Sequence, residues 1–239
     1  PGRVPIAFIS TKEESIFLAF RGTADISEAI IDLMMTQVPY PFVEDGGMTE
    51  QGFTSLYSQV SDSIIQKINE LINTGNFSSL SVTGHSLGGA LAVLAVPDIM
   101  VNVPPVVTSW MCNFAGPRVG DAQFAELYNS LINTSRRVVN TNDLVPQLPP
   151  DIPDLVEYEH VMGERQITFG KVAPSLPDFS DGITISELLQ DIGVFLRDFD
   201  DLNANHSMCE YYNTLCEETF DPDSCKARAV GLNDCNIAG

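Results

Sequence analysis

Positive charge is scarce in this chain: 12 Lys and Arg stand against 32 Asp and Glu, for a formal net charge of -20 at pH 7. A field of that sign repels phosphate backbones and strongly anionic membranes, so nucleic-acid binding is excluded as a function class. Long apolar runs are lacking too. The longest, Ala90 to Val96, is far short of the roughly 20 residues that a transmembrane helix needs. No basic stretch leads into an apolar segment at the N-terminus, so any secretory signal is expected to have been removed. Histidine is rare, with three in 239 residues, which shortens any search for a catalytic base. What remains is a globular composition, 44% hydrophobic and 18% charged, and its length fits a single domain over 1–239.

Cysteine is nearly confined to one end. Cys209, Cys216, Cys225 and Cys235 fall in a segment rich in Asp, Asn and Pro, and predict a disulfide-stapled tail, about 207–239, of a secreted or extracellular protein. Three pairings are open, and reduced thiols are the alternative. Cys112, inside the apolar run Val106 to Phe114, reads as a buried free thiol or as one whose partner lay upstream.

Strands and helices alternate along the chain. Val4–Ser10 and Ser15–Arg21 read as a hairpin around a polar turn. Leu56, Val60, Ile64, Ile68, Leu71 and Ile72 have helical spacing within 54–73, which ends at Gly75. Ser79–Thr83 predicts a strand, Gly89–Val96 a helix closed by Pro97, and Val106–Phe114 a buried strand. Asp121 caps a helix presenting Phe124, Leu127, Tyr128 and Leu131, and Arg136–Asn140 returns as a strand. Glu157–Met162 and Arg165–Phe169 read as a strand pair turning at Gly163, and Ile185 to Phe199 as a late helix. This alternation predicts an α/β fold with a mainly parallel central sheet and helices on both faces.

Gly84-His85-Ser86-Leu87-Gly88 fits G-x-S-x-G between a strand and a helix, the setting of a nucleophile elbow. A serine on so sharp a turn needs small neighbours, which Gly84, Gly88, Gly89 and Ala90 provide. At the helix N-terminus its oxygen meets unsatisfied N–H groups, and Leu87 offers one to a developing oxyanion. A serine hydroxyl requires an imidazole to take its proton. His85 should diverge from its neighbour on a strained elbow, and His160 lies in a predicted strand pair. His206, in the polar loop after the late helix, is the candidate base. The orienting carboxylate should lie between serine and histidine, where Asp143, Asp151 and Asp154 compete; Asp143 is favoured by following a strand. A second oxyanion donor is sought after an early strand, at Thr23 of Arg21-Gly22-Thr23.

These segments together resemble the class 3 lipase family, the fungal-type triacylglycerol lipases and related feruloyl esterases. Phe20-Arg21-Gly22-Thr23 is similar to the family's oxyanion segment, Val82 to Ala90 to its elbow, and Gly116-Pro117-Arg118-Val119-Gly120-Asp121 to a further signature. Asn140 to Pro150 resembles the catalytic-acid segment, and His206-Ser207 with Tyr211-Tyr212 the histidine loop. The resemblance implies the α/β-hydrolase fold, Asp143 as the acid, and ester hydrolysis without metal or cofactor. Nothing before the first hairpin corresponds to the family's N-terminal helical segment, which implies a processed or trimmed chain. Gln51-Gly52-Phe53 departs from the usual His-x-Gly-Phe, and 171–201 is longer and more acidic than usual.

By the same resemblance, the stretch from Asp25 to about Met35 corresponds to a lid. Asp25 and Glu28 have capping-box spacing, and Ile26, Ile30 and Leu33 form one apolar face. Burying those three contributes roughly 5 kcal/mol, enough to hold a lid shut in water and release it at an oil surface. Ala29 stands where lipase lids often carry Trp, and a fixed core helix is the alternative. The expected partner is a lipid or ester substrate, met transiently at a lipid–water interface. A feruloyl esterase, a phospholipase A1 and a non-catalytic lipid-binding module are the competing readings. Asn76, Asn133 and Asn205 open N-x-S patterns, but a glycan on Asn205 would obstruct the base beside it. Oligomeric state is not encoded in any motif.

Overall fold

The computed structural model describes residues 5–23, 36–104, 108–152, 155–173 and 202–218. Its centre is a six-stranded sheet that begins as a hairpin. Strands β1 (Ala7–Lys12) and β2 (Ser15–Phe20) pair antiparallel from Ala7↔Phe20 to Lys12↔Ser15. In β2 the residues Ile16, Leu18 and Phe20 are buried and those between are half-buried, the period of two that a sheet face imposes. A short ribbon follows, β3 (Gln37–Pro39) against β4 (Met48–Glu50). The large sheet then gains β5 (Ser79–His85), β6 (Thr108–Phe114), β7 (Ser135–Asn140) and β8 (Glu164–Ile167), in the order β1-β2-β5-β6-β7-β8. Every pairing from β2 to β8 is parallel. The parallel strands therefore end on one edge, where ligands of open α/β sheets are bound.

Helices cover both faces. Helices α1 (Gln51–Ser58), α2 (Ser61–Thr74), α3 (Leu87–Asn102) and α4 (Ala122–Leu131) join the larger core, with Ile16, Leu18, Leu80, Val82 and Met111 from the strands. Helix α3 is buried on every side from Gly88 to Ile99, as its continuous apolar sequence demands. Leu91 and Leu94 each contribute about 2 kcal/mol by burial. The opposite face packs Ala115, Val138 and Ile167 against Tyr211 of α6 (Met208–Glu217), which follows the short α5 (Leu202–Asn205).

Four sequence expectations are corrected. The 54–73 helix is two helices: α1 starts early because the Glu50 carboxylate caps Phe53 N–H (2.6 Å), and its last turn closes tightly at Gln59 and Val60. Pro97 lies inside α3 rather than ending it, since packing on all sides outweighs the roughly 3 kcal/mol cost of an internal proline. Residues 157–162 form no strand pair with β8: the carbonyls of Gly163 and Val161 are taken by the backbone N–H and the Nε of buried Arg137, which leads β8 into β7 in parallel. Cys112 is a free thiol, but half-buried rather than buried, because it lies on the less fully covered face. The lid stretch 25–35, the late helix 185–199, Asp154, Cys225 and Cys235 lie outside the described residues.

Candidate active site

The parallel edge gathers the candidate residues. Ser86 follows β5 with φ 58° and ψ -128°, outside the comfortable regions for a side chain, at a cost of about 1–3 kcal/mol. Its backbone N–H is tied to the Phe114 carbonyl (3.0 Å), so the strain is held by the neighbouring strand. A serine before a helix ordinarily caps it, yet this side chain makes no capping bond. The twisted backbone leaves the hydroxyl unspent.

Two glycines bring the exit of β2 onto this elbow. A Cβ on Gly88 would sit 2.4 Å from the Phe20 carbonyl oxygen, and one on Gly22 would sit 2.7 Å from the His85 carbonyl oxygen. Only bare backbone fits, and a Cβ on Gly22 would also lie 3.5 Å from Ser86 Cβ, so the turn that leads into Thr23 passes the serine. Leu87 opens α3, so its N–H is among the four that a helix leaves unpaired.

Asp143 lies in the turn after β7, almost wholly buried at 1% exposure, and caps its own loop by accepting from Val145 N–H through Oδ1 (3.0 Å). Its other oxygen, Oδ2, accepts from His206 Nδ1–H at 2.8 Å and from the Tyr211 hydroxyl at 2.9 Å. His206, also 1% exposed, sits between α5 and α6. With Nδ1 donating, Nε2 carries a lone pair on the side of the ring away from Asp143. It is buried without a hydrogen-bond partner among the described residues. The imidazole thus joins the carboxylate directly, whereas no hydrogen bond joins it to Ser86 in this state; in resting enzymes such contacts are often long and tighten around the substrate.

Several supporting residues escape a reading of the sequence. His85 does not merely diverge from Ser86: its ring lies 4.6 Å from that of His206, and its Nε2–H donates to the His206 carbonyl (2.8 Å). Burial, with the His206 charge close by, pushes its pKa down to about 3, so it stays neutral. His160 is no strand residue; its Nε2–H donates to the Pro146 carbonyl (2.7 Å), and burial likewise pushes it down to about 3. Arg118 donates to the carbonyls of Gln147 and Pro149, so the Gly116 to Asp121 motif secures the loop that carries Asp143. Asp151 accepts from Tyr158 N–H and lies off the histidine.

Asn205 is fully buried. It donates to the carbonyls of Asn142 and Lys171 (both 2.8 Å), and its own carbonyl accepts from Asn140 Nδ2 (3.0 Å). Three loops are thereby pinned around His206, and Asn205 has no surface to offer a glycan. Asn76 and Asn133 are exposed. Among the described residues no helix is long and apolar enough to cross a membrane, and no group of three or more His, Cys, Asp or Glu is placed to hold a metal.

A buried carboxylate, an imidazole with a free lone pair and an uncapping serine at a helix N-terminus can together perform nucleophilic acyl transfer. Comparison with known proteins points the same way. The sequence profile of the family described as Lipase (class 3) matches residues 17–152. A lipase of Rhizomucor miehei is 35% identical over 140 residues, covering 58% of this chain and 38% of that protein. A secreted mono- and diacylglycerol lipase A of Penicillium cyclopium is 35% identical over 156 residues, 64% of this chain and 48% of that one. Among solved structures, a triacylglycerol lipase described as having a serine protease triad at its catalytic centre superposes with a TM-score of 0.60 at 31% identity, over 67% of this chain and 61% of that one. The chain spans less than half the length of these two curated relatives.

Proposed function

Because this chain belongs to the class 3 lipase family, we propose that it hydrolyses carboxylic esters of glycerol lipids through an acyl-enzyme on Ser86. The observation that carries the reading is the buried Nδ1–H···Oδ2 bond of 2.8 Å between His206 and Asp143, which fixes the tautomer that leaves Nε2 basic. The Ser86 oxygen attacks the ester carbonyl while Nε2 takes its proton. The tetrahedral oxyanion is met by the N–H groups of Thr23 and Leu87. The C–O bond to the alcohol then breaks as Nε2–H returns the proton to the departing oxygen. Water, activated by Nε2, releases the fatty acid in the reverse sense.

The substrate class is read from the sequence spacing of the apolar residues Ile26, Ile30 and Leu33 and from the names of the relatives. Emulsified triolein should be turned over faster than methyl ferulate or phosphatidylcholine at equal ester concentration, measured by fatty-acid release and by ferulate absorbance. Preference for methyl ferulate would reassign the chain to the esterase branch, and preference for phosphatidylcholine to phospholipase A1.

A secreted location is supported by the name of the Penicillium relative and by the tail cysteines. Cys209 and Cys216 are each disulfide-bonded. Seven residues apart on α6, they are separated by about 10 Å along the axis, too far to bond each other. We read them as paired with Cys225 and Cys235, which reduces three possible pairings to two. Thiol titration of the unreduced, unfolded chain should then find one group, Cys112, and five after reduction; a count of five without reductant would remove the staple.

A further inference from the structure

We propose that Tyr211 is a positioning residue for this reaction: it shares the Asp143 carboxylate with His206 and limits how strongly that carboxylate supports positive charge on the ring. The inference rests on the assignment of Ser86, His206 and Asp143 given above. Tyr211 stands one turn into α6, with its N–H on the carbonyl of Ser207, the residue that follows His206 (3.1 Å). One short segment therefore carries both the base and a second donor to its carboxylate.

The phenol has little freedom. Its ring is fully buried against Ala115, Val138 and Ile167, and Phe169 meets it edge-on at 5.1 Å. Its oxygen accepts from Asn140 N–H (2.8 Å), which aims the hydroxyl hydrogen at Oδ2 of Asp143 (2.9 Å). Burial and the neighbouring Asp143 charge push this phenol well above its ordinary pKa, so it donates throughout the working pH range. Oδ2 thus receives two hydrogens and Oδ1 one, from Val145 N–H. Three donors on one buried carboxylate spread its charge and prevent it from rotating away from the histidine.

Among the described residues, the groups of other elements bonded to or stacked on this pair are these. From β5 comes the neutral ring of His85, and from α5 the uncharged amide of Asn205 borders the loop. Lys171, in the segment after β8, meets Asn205 through its backbone. Among the described residues, no charged side chain besides Asp143 is hydrogen-bonded to His206. The phenol is consequently the adjustable partner: removing its hydrogen bond leaves more negative charge on the oxygen that faces Nδ1, and stabilises the imidazolium.

The experiment follows kcat and KM for p-nitrophenyl butyrate across pH in the wild type, in Tyr211→Phe and in a chain with 3,5-difluorotyrosine at 211. Tyr211→Phe should lower kcat about tenfold with KM within about twofold, and should move the acidic limb of kcat/KM upward by roughly half a pH unit. Difluorotyrosine keeps the bond with a stronger donor and should move the limb downward. A purely packing role predicts lower thermal stability with an unmoved limb in both variants, and that result overturns the proposal. Ser86→Ala, assayed alongside, separates the two levels. Activity surviving in Ser86→Ala sinks the site assignment itself, whereas a silent Ser86→Ala with an unmoved limb sinks the role of Tyr211 alone.

Discussion

Ser86→Ala is expected to lower kcat on a soluble p-nitrophenyl ester by about 10^6-fold while leaving the denaturant midpoint unchanged or slightly raised. The first half follows from chemistry, since the strained backbone at the end of β5 presents this hydroxyl without spending it on a capping bond. The second follows from the hydrogen bonds. The Ser86 side chain does not cap α3 and makes no hydrogen bond to another described residue, so truncating it removes a nearly buried polar group without orphaning a partner. The proposed nucleophilic role, rather than stability, accounts for a serine held at φ 58°. Equilibrium unfolding and ester hydrolysis on the same preparation check both halves, and a large loss of stability would mean that the hydroxyl has a structural role instead.

Asp143→Asn should cost about 10^4-fold in kcat with KM little changed, through the tautomer of His206 rather than through lost packing. The native carboxylate accepts three hydrogens: Val145 N–H on Oδ1, and His206 Nδ1–H with Tyr211 O–H on Oδ2. An amide has one acceptor oxygen and one NH2. If its oxygen serves Val145, its NH2 faces the histidine, and Nδ1 must become an acceptor. The ring proton then moves to Nε2, the atom that has to receive the serine proton, and catalysis stops. If the amide turns over, the loop of Asp143 loses its own cap instead. NMR of the ring nitrogens identifies the tautomer in the variant; an unchanged Nδ1–H form with full activity would contradict this account.

What can be read from the sequence depends on how local the information is. The G-x-S-x-G elbow, the Asp121 cap and the period of two in β2 are short-range patterns, and each predicts a structure that backbone sterics enforce within a few residues. Asp143 needs more, because three acids have similar surroundings and only the resemblance of Asn140 to Pro150 to a known segment separates them. Asn205, Tyr211 and His85 are not legible as supports because their partners are 34 to 121 residues away along the chain. A polar side chain in a polar loop looks solvated until the loops that bury it are known. Asn205 even reads as a glycan acceptor, although its burial rules that out. The misreading of Pro97 has the opposite origin: a local helix-breaking preference is overridden by packing on every side of α3.

The most direct measurement is a crystal structure of the protein after reaction with an alkyl fluorophosphonate. Phosphorus is expected on Ser86 Oγ, with the phosphoryl oxygen between the N–H groups of Thr23 and Leu87 and His206 Nε2 within about 3.2 Å of the bonded oxygen. Phosphorus on any other side chain, or an imidazole still remote from the adduct, would contradict that expectation.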